Sequence, residues 1–204
     1  MATKRLVDMP VVASAVVLAG SMILRGKPVA FLVSKEGIEQ VELTDPWIAV
    51  EKAGGMPRLI SVEPGMVQAF HHLEPAESFR VDEIAAEADA SDFGGLVLPG
   101  GVANGDLLRW QEPARDFVRR FVATGRPIAV ICHGGWILID AEVVRGRRVT
   151  SWPSLAVDFR NAGAVWVDEP LVVDDDGPFT LVSSRKPADL PAFNDELVSQ
   201  LERV

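Results

Sequence analysis

The chain has 204 residues, 48% of them hydrophobic and 24% charged, a composition that fits one globular α/β domain with a full core rather than two ordinary domains. Its net charge of −9 argues against a nucleic-acid surface, which needs clustered Lys and Arg, so no nucleic-acid partner is expected. One cysteine cannot form an internal disulfide, and with three histidines it offers no zinc-ligand spacing, so neither an oxidising compartment nor a metal is expected.

Residues 1–26 stand apart as an apolar N-terminal extension. Lys4 and Arg5 precede Leu6 to Leu24, a stretch rich in Val, Ala and Leu with the basic start and apolar middle of a signal sequence. Asp8 and Pro10 interrupt it, and the uncharged part from Met9 to Leu24 is shorter than the ~20 residues a membrane span needs. Stable membrane insertion is therefore not expected. An arm packed on the domain or on a partner subunit ranks ahead of a cleaved signal, a mis-assigned start codon stays open, and the expected location is cytoplasmic.

After Gly26, short apolar runs alternate with amphipathic stretches, the pattern of βαβ units around a largely parallel sheet; residues 27–204 are expected to form this domain. Lys27 to Val33 is a first strand. Thr44 or Asp45 is expected to cap a helix with Pro46 in its first turn, running to Ala53 and closing on Gly54-Gly55. Arg58 to Val62 is a second strand, Met66 to Phe79 a polar excursion or hairpin, and a short helix starts at Asp82. Phe93 to Leu98 is a third strand, ending in Pro99-Gly100-Gly101. A long helix over Leu107 to Ala123 closes on Gly125, and Pro127 to Ile131 is the next strand. A helix near Trp136, strands around Val149, Val165, Leu171 and Leu181, and a final helix from Pro187 complete the chain.

The only cysteine follows that fourth strand, in Ala129-Val130-Ile131-Cys132-His133-Gly134-Gly135-Trp136. A strand that turns sharply into a helix lifts its last residue out of the sheet, beside amide groups that favour an anion. A thiolate is such an anion and is the reactive form of cysteine. A buried structural thiol is the common alternative, but the neighbouring imidazole and the Gly134-Gly135 pair favour a nucleophile. In an open parallel sheet, ligands bind outside the carboxyl ends of the strands. The loops on that edge carry Glu39 and Glu42, then Gly100 to Asp106, then Cys132-His133, so carboxylates, a glycine-rich turn and a Cys-His pair converge.

At these residues the chain resembles the PfpI family, which includes intracellular protease-like proteins, bacterial stress proteins and glyoxalase III enzymes and is related to the parkinsonism-associated deglycase. The resemblance is carried by Glu39 to Thr44, Leu98 to Asn104, Ala129 to Gly134 and Val144 to Arg147. It continues through Thr150 to Ser154, Asn161 to Glu169 and Ser184 to Pro191. It implies a flavodoxin-like three-layer α/β sandwich with a mostly parallel central sheet and a nucleophile elbow.

By resemblance, Cys132 is the nucleophile, His133 its imidazole partner, and Glu42 a carboxylate beside the sulfur that shares a proton with it. Asp106 sits near the position where some members supply an acid to complete a Cys-His-acid triad, sometimes from a neighbouring subunit; a helix N-cap is the equal alternative. The amides of Gly101 and His133 are candidates for an oxyanion hole. Glu39 reads as a surface carboxylate, and His71 and His72 as a solvated or interface pair. Gly105 and Gly135 stand where relatives commonly have proline, which predicts more flexible loops at the site.

The resemblance implies a cofactor-independent cysteine enzyme acting on small reactive carbonyls or their adducts, in stress protection. A cysteine peptidase or amidase and a non-enzymatic redox-sensing stress protein are the alternatives. A homodimer or higher homo-oligomer is expected by the same resemblance.

Overall fold

A computed structural model describes residues 23–204, so all but the last four residues of the expected extension lie outside the described residues. Those four form a turn in which Leu24 is buried and donates its N–H to Ala53 O at 3.0 Å. The strands are β1 (Pro28–Leu32), β2 (Glu36–Glu39), β3 (Met56–Ser61), β4 (Met66–His71), β5 (Glu74–Arg80), β6 (Glu83–Ile84), β7 (Gly95–Leu98), β8 (Ile128–Ile131), β9 (Arg148–Val149), β10 (Val165–Trp166), β11 (Leu171–Asp174) and β12 (Leu181–Ser184). The helices are α1 (Gln40–Lys52), α2 (Val102–Trp110), α3 (Glu112–Val122), α4 (Trp136–Asp140), α5 (Ala156–Asn161) and α6 (Leu190–Glu202). No helix among the described residues is long and apolar enough to cross a membrane.

The central sheet has the order β11-β12-β8-β7-β1-β3-β6. All its pairings are parallel except that of β11 with β12. Side chains alternate across a strand, and here both faces are buried. Val29 and Phe31 of β1 join Trp47 of α1 and Phe193 and Leu197 of α6 in one core. Ala30 and Leu32 join Phe117 and Phe121 of α3, Leu138 of α4 and Phe159 of α5 in the other. The molecule is thus a three-layer α/β sandwich, as the family resemblance implied, and its mostly parallel sheet is the one that the alternating apolar runs predicted. From β1 the chain moves outward to β3, then returns to β7 on the other side. This reversal opens a crevice at the carboxyl ends of β1 and β7, next to the end of β8.

Several elements differ from expectation. The helix expected to begin at Thr44 or Asp45 begins at Gln40, with Glu39 extended before it and Pro46 inside it. An internal proline removes a helix hydrogen bond and costs about 3 kcal/mol; burial of Leu43, Trp47 and Val50 opposes that cost. The longer helix carries Glu42 in its first turn. The expected helix from Asp82 is replaced by β6 and a turn. The long helix over Leu107 to Ala123 is two helices, broken at Gln111 where ψ is 114°. Pro113 explains the break, since its ring cannot follow a helical carbonyl at Arg109; that carbonyl instead accepts Arg115 Nη1 at 2.8 Å. The excursion at Met66 to Phe79 is a hairpin, β4–β5, with β2 paired parallel to β4.

Candidate active site

Strand β8 delivers Cys132 to the carboxyl edge with φ at 60°. A residue with a Cβ holds this left-handed conformation at a cost on the order of 1 kcal/mol, and the tight turn Cys132 to Gly135 then runs straight into α4. Cys132 is 7% exposed. Its Sγ lies 3.2 Å from Nδ1 of His133, and the backbone amides of Gly101 and His133 both donate toward it. The two amides expected to form an oxyanion hole therefore act on the sulfur itself.

Glu42 reaches the same point from α1. It is fully buried, and the polar groups that act on its carboxyl are the Cys132 thiol and the Gly100 amide. Gly100 lies between them. A Cβ there would stand 2.2 Å from Glu42 Oε2 and 2.6 Å from Cys132 Cβ, so only glycine lets carboxyl and thiol meet. Asn104 secures this turn, donating to the carbonyls of Pro99 and Gly100 and accepting the Ser34 amide at 2.8 Å.

Burial pushes the Glu42 carboxyl up to about 8, with the charge of Glu39 adding to the effect. Burial pushes the Cys132 thiol up as well, and a charged Glu42 raises it further, while the Gly101 and His133 amides pull it down. The pair therefore resists holding two negative charges and keeps at least one proton at neutral pH. Burial takes His133 down to about 4, leaving its imidazole neutral and able to accept a proton. That burial is aromatic: Trp136 lies at 5.1 Å between ring centroids, and Trp152 stacks at 5.8 Å with 28° between planes.

The thiol opens into a cavity of about 650 Å³ whose walls include Phe70, Leu73, Trp136 and Trp152. Asp106 also faces this cavity, but it is exposed, sits within α2 rather than at its cap, and makes no hydrogen bond to His133. The N-cap alternative is thereby corrected, since Gly101 holds that position. Glu39 is not a solvated surface group: its side chain is 13% exposed, lines the cavity and accepts the His72 amide at 3.0 Å. His72 stands at the cavity rim.

Gly105 lies within α2 and Gly135 in the turn that leads into α4, rather than in open loops. A Cβ on Gly105 would lie 2.4 Å from His133 O, and one on Gly135 2.7 Å from Phe159 Cζ, so each is a site of close packing. Sequence reasoning missed Asn104, Trp136 and Trp152 as parts of the site. The available signals were an Asn inside a glycine-rich turn and aromatic residues close behind the Cys-His pair and the Thr150-Ser151 segment.

Fold and site together define an α/β protein of the cysteine-elbow class, in which a strand-to-helix turn presents a thiol to a pocket. Its sequence matches the DJ-1/PfpI family over residues 27–200. It is 40% identical to a deglycase of Pyrococcus horikoshii over 85% of this chain and 99% of that one. It is 38% identical to protein/nucleic acid deglycase 2 of Escherichia coli over 86% and 98%, and 36% identical to a putative cysteine protease of Bacillus subtilis over 86% and 99%. Among solved structures, Drosophila melanogaster DJ-1beta superposes with a TM-score of 0.74 at 25% identity, covering 87% of this chain and 91% of that one. The chain belongs to the DJ-1/PfpI family.

Proposed function

We propose that the protein is a cofactor-independent cysteine enzyme that acts on small reactive carbonyls or on their adducts with amines and thiols, in protection against carbonyl stress. The observation that carries this reading is the approach of Cys132 Sγ to within 3.2 Å of a His133 imidazole that is neutral at pH 7. Relatives named deglycases and a general stress protein of Bacillus subtilis support it. With methylglyoxal, the thiol proton passes to His133 as the sulfur attacks the aldehyde carbon, and the carbonyl oxygen takes a proton from Glu42. The resulting hemithioacetal loses its C1 proton to a base and regains one at C2, giving a thioester. Water then cleaves the C–S bond, releasing lactate and the thiol. The net reaction adds one water, so no redox partner is needed. With an adduct, the sulfur displaces the amine or thiol carrier, which leaves with the thiol proton, and the same hemithioacetal then follows the same rearrangement and hydrolysis.

Asp106, with no partner on His133 in its own chain, fits the acid that a neighbouring subunit supplies, and we expect a homodimer or higher homo-oligomer. The putative protease among the relatives favours a second reading, amide hydrolysis by the same nucleophile. Both are tested by assaying purified protein and Cys132→Ser for lactate formation from methylglyoxal without glutathione, and for cleavage of casein. Cysteine-dependent lactate establishes the carbonyl reading. Cysteine-dependent proteolysis without lactate replaces it.

A further inference from the structure

The cavity above Cys132 is lined by the acidic residues Glu39, Glu42 and Asp106 and, among the described residues, by no lysine or arginine. Two arginines outside its lining are paired with other acids. Arg109 Nε binds Asp140 Oδ2 at 2.7 Å, and its guanidinium covers Trp136 at 5.2 Å from the ring centroid. Arg185 is held by Asp168 and Asp189 at 2.8 and 2.9 Å.

Glu39 is the acid with a fixed position at the rim. Its Oε2 is held by the His72 amide, with His72 Nδ1 3.6 Å away. Deeper in, the buried Glu42 carboxyl faces the Cys132 thiol and the Gly100 amide. The remaining walls include Trp152 and Phe70, whose ring faces attract cations. Low-dielectric walls concentrate the field of such carboxylates within a cleft.

The geometry points to Glu39 as a specificity-determining residue that makes this cavity select carbonyl carriers bearing an ammonium or guanidinium group over those bearing a carboxylate or phosphate. This rests on the carbonyl reading of Cys132. A cation seated beside Glu39 exchanges the loose His72 imidazole contact for its own, and the amide hydrogen bond remains. An anionic carrier meets Glu39 and Asp106 together and is repelled.

The field is read without turnover through the single thiol. Cationic 2-(trimethylammonium)ethyl, anionic 2-sulfonatoethyl and neutral methyl methanethiosulfonates each react by forming a disulfide to Cys132 Sγ and releasing methanesulfinate. The ratio of cationic to anionic rate, checked against the neutral reagent, cancels the thiolate fraction. The wild type should favour the cation, and Glu39→Gln, which keeps the acceptor for the His72 amide, should lower the ratio about fivefold. Glu87→Gln, at an exposed site outside the cavity, should leave it unchanged. A wild-type ratio near one, or equal falls in both variants, overturns the proposal. Arylglyoxals bearing para trimethylammonium, hydrogen or carboxylate should show kcat/KM in that order, flattened by Glu39→Gln; turnover without that order also overturns it. If none is turned over, the carbonyl reading fails alone and the labelling ratio still decides the charge selectivity.

Discussion

Trp152 stacks its ring on His133 while its backbone N–H donates to Cys132 O at 3.3 Å, so one residue touches both members of the Cys-His pair. The segment before it is anchored from the sheet, where Thr150 N–H donates to Ser183 Oγ at 3.0 Å. Indole burial is part of what keeps the imidazole uncharged.

Trp152→Ala should therefore let water reach His133 and raise its pKa from about 4 toward the ordinary histidine range. An NMR titration of the ring protons checks this. Because Trp152 is itself 39% exposed, the variant should lose less than about 1 kcal/mol of stability. Turnover should fall about tenfold, since a solvated, mobile imidazole aligns less well with the sulfur. An unshifted titration would separate the stacking from the protonation state.

Glu42 and His133 act on stability with opposite signs. The folded-state value of Glu42, about 8, lies above the ordinary 4.5, so its contribution is fully present below pH 4.5 and is lost as pH rises through 8. The value of His133, about 4, lies below the ordinary 6.5, so its contribution is present above pH 6.5 and is lost as pH falls through 4. Glu42→Gln should remove the first loss: its stability relative to wild type should rise between pH 5 and 8, by on the order of 1 kcal/mol per pH unit. Urea denaturation at several pH values measures it. A constant difference across that window would mean that the carboxyl is already ionised in the fold.

The central sheet was legible because its strands are short unbroken apolar runs, and the elbow because the only cysteine ends one of them. Less legible were features set by tertiary context. Pro46 reads as a helix start, yet burial of Trp47 and Leu43 carries α1 through it, and that extension puts Glu42 at the sulfur. Gly105 and Gly135 read as loosened loops, because chain flexibility is a local property while their close contacts, His133 O and Phe159, come from elsewhere in the fold. Glu39 reads as a surface acid because no local pattern shows that the hairpin tip folds over it.

Gly105→Ala tests that packing directly. Its new Cβ would approach His133 O to 2.4 Å and Trp136 Cε3 to 3.1 Å, forcing α2 away from the elbow. We expect a loss of about 1–3 kcal/mol together with slower alkylation of Cys132, because α2 also carries the Asn104 clamp on Gly100. If the residue were only a flexible loop position, alanine would stabilise the chain slightly, and thermal unfolding distinguishes the two signs.

On the far side of the sheet from these loops, Arg147 is buried against Asp174, Nε to Oδ2 at 2.9 Å, with side-chain exposures of 7% and 4%. Its Nη2 donates to the carbonyls of Asp174 and Phe179, and the guanidinium lies 4.4 Å from the Phe179 ring centroid. Asp174 also accepts the Arg148 and Asp176 amides, and these hydrogen bonds, led by that of Arg147, hold its carboxyl below the usual range against the opposing effect of burial. Arg147→Met should cost about 3–5 kcal/mol, because it leaves a buried carboxylate without its cation. Asp174→Asn in the same chain should recover part of that loss by removing the charge while keeping an acceptor for the two amides. Denaturant midpoints of the two single variants and the double variant give the coupling. A double variant no more stable than Arg147→Met would show that packing of the arginine stem on Phe179, rather than charge pairing, holds β9 to β11.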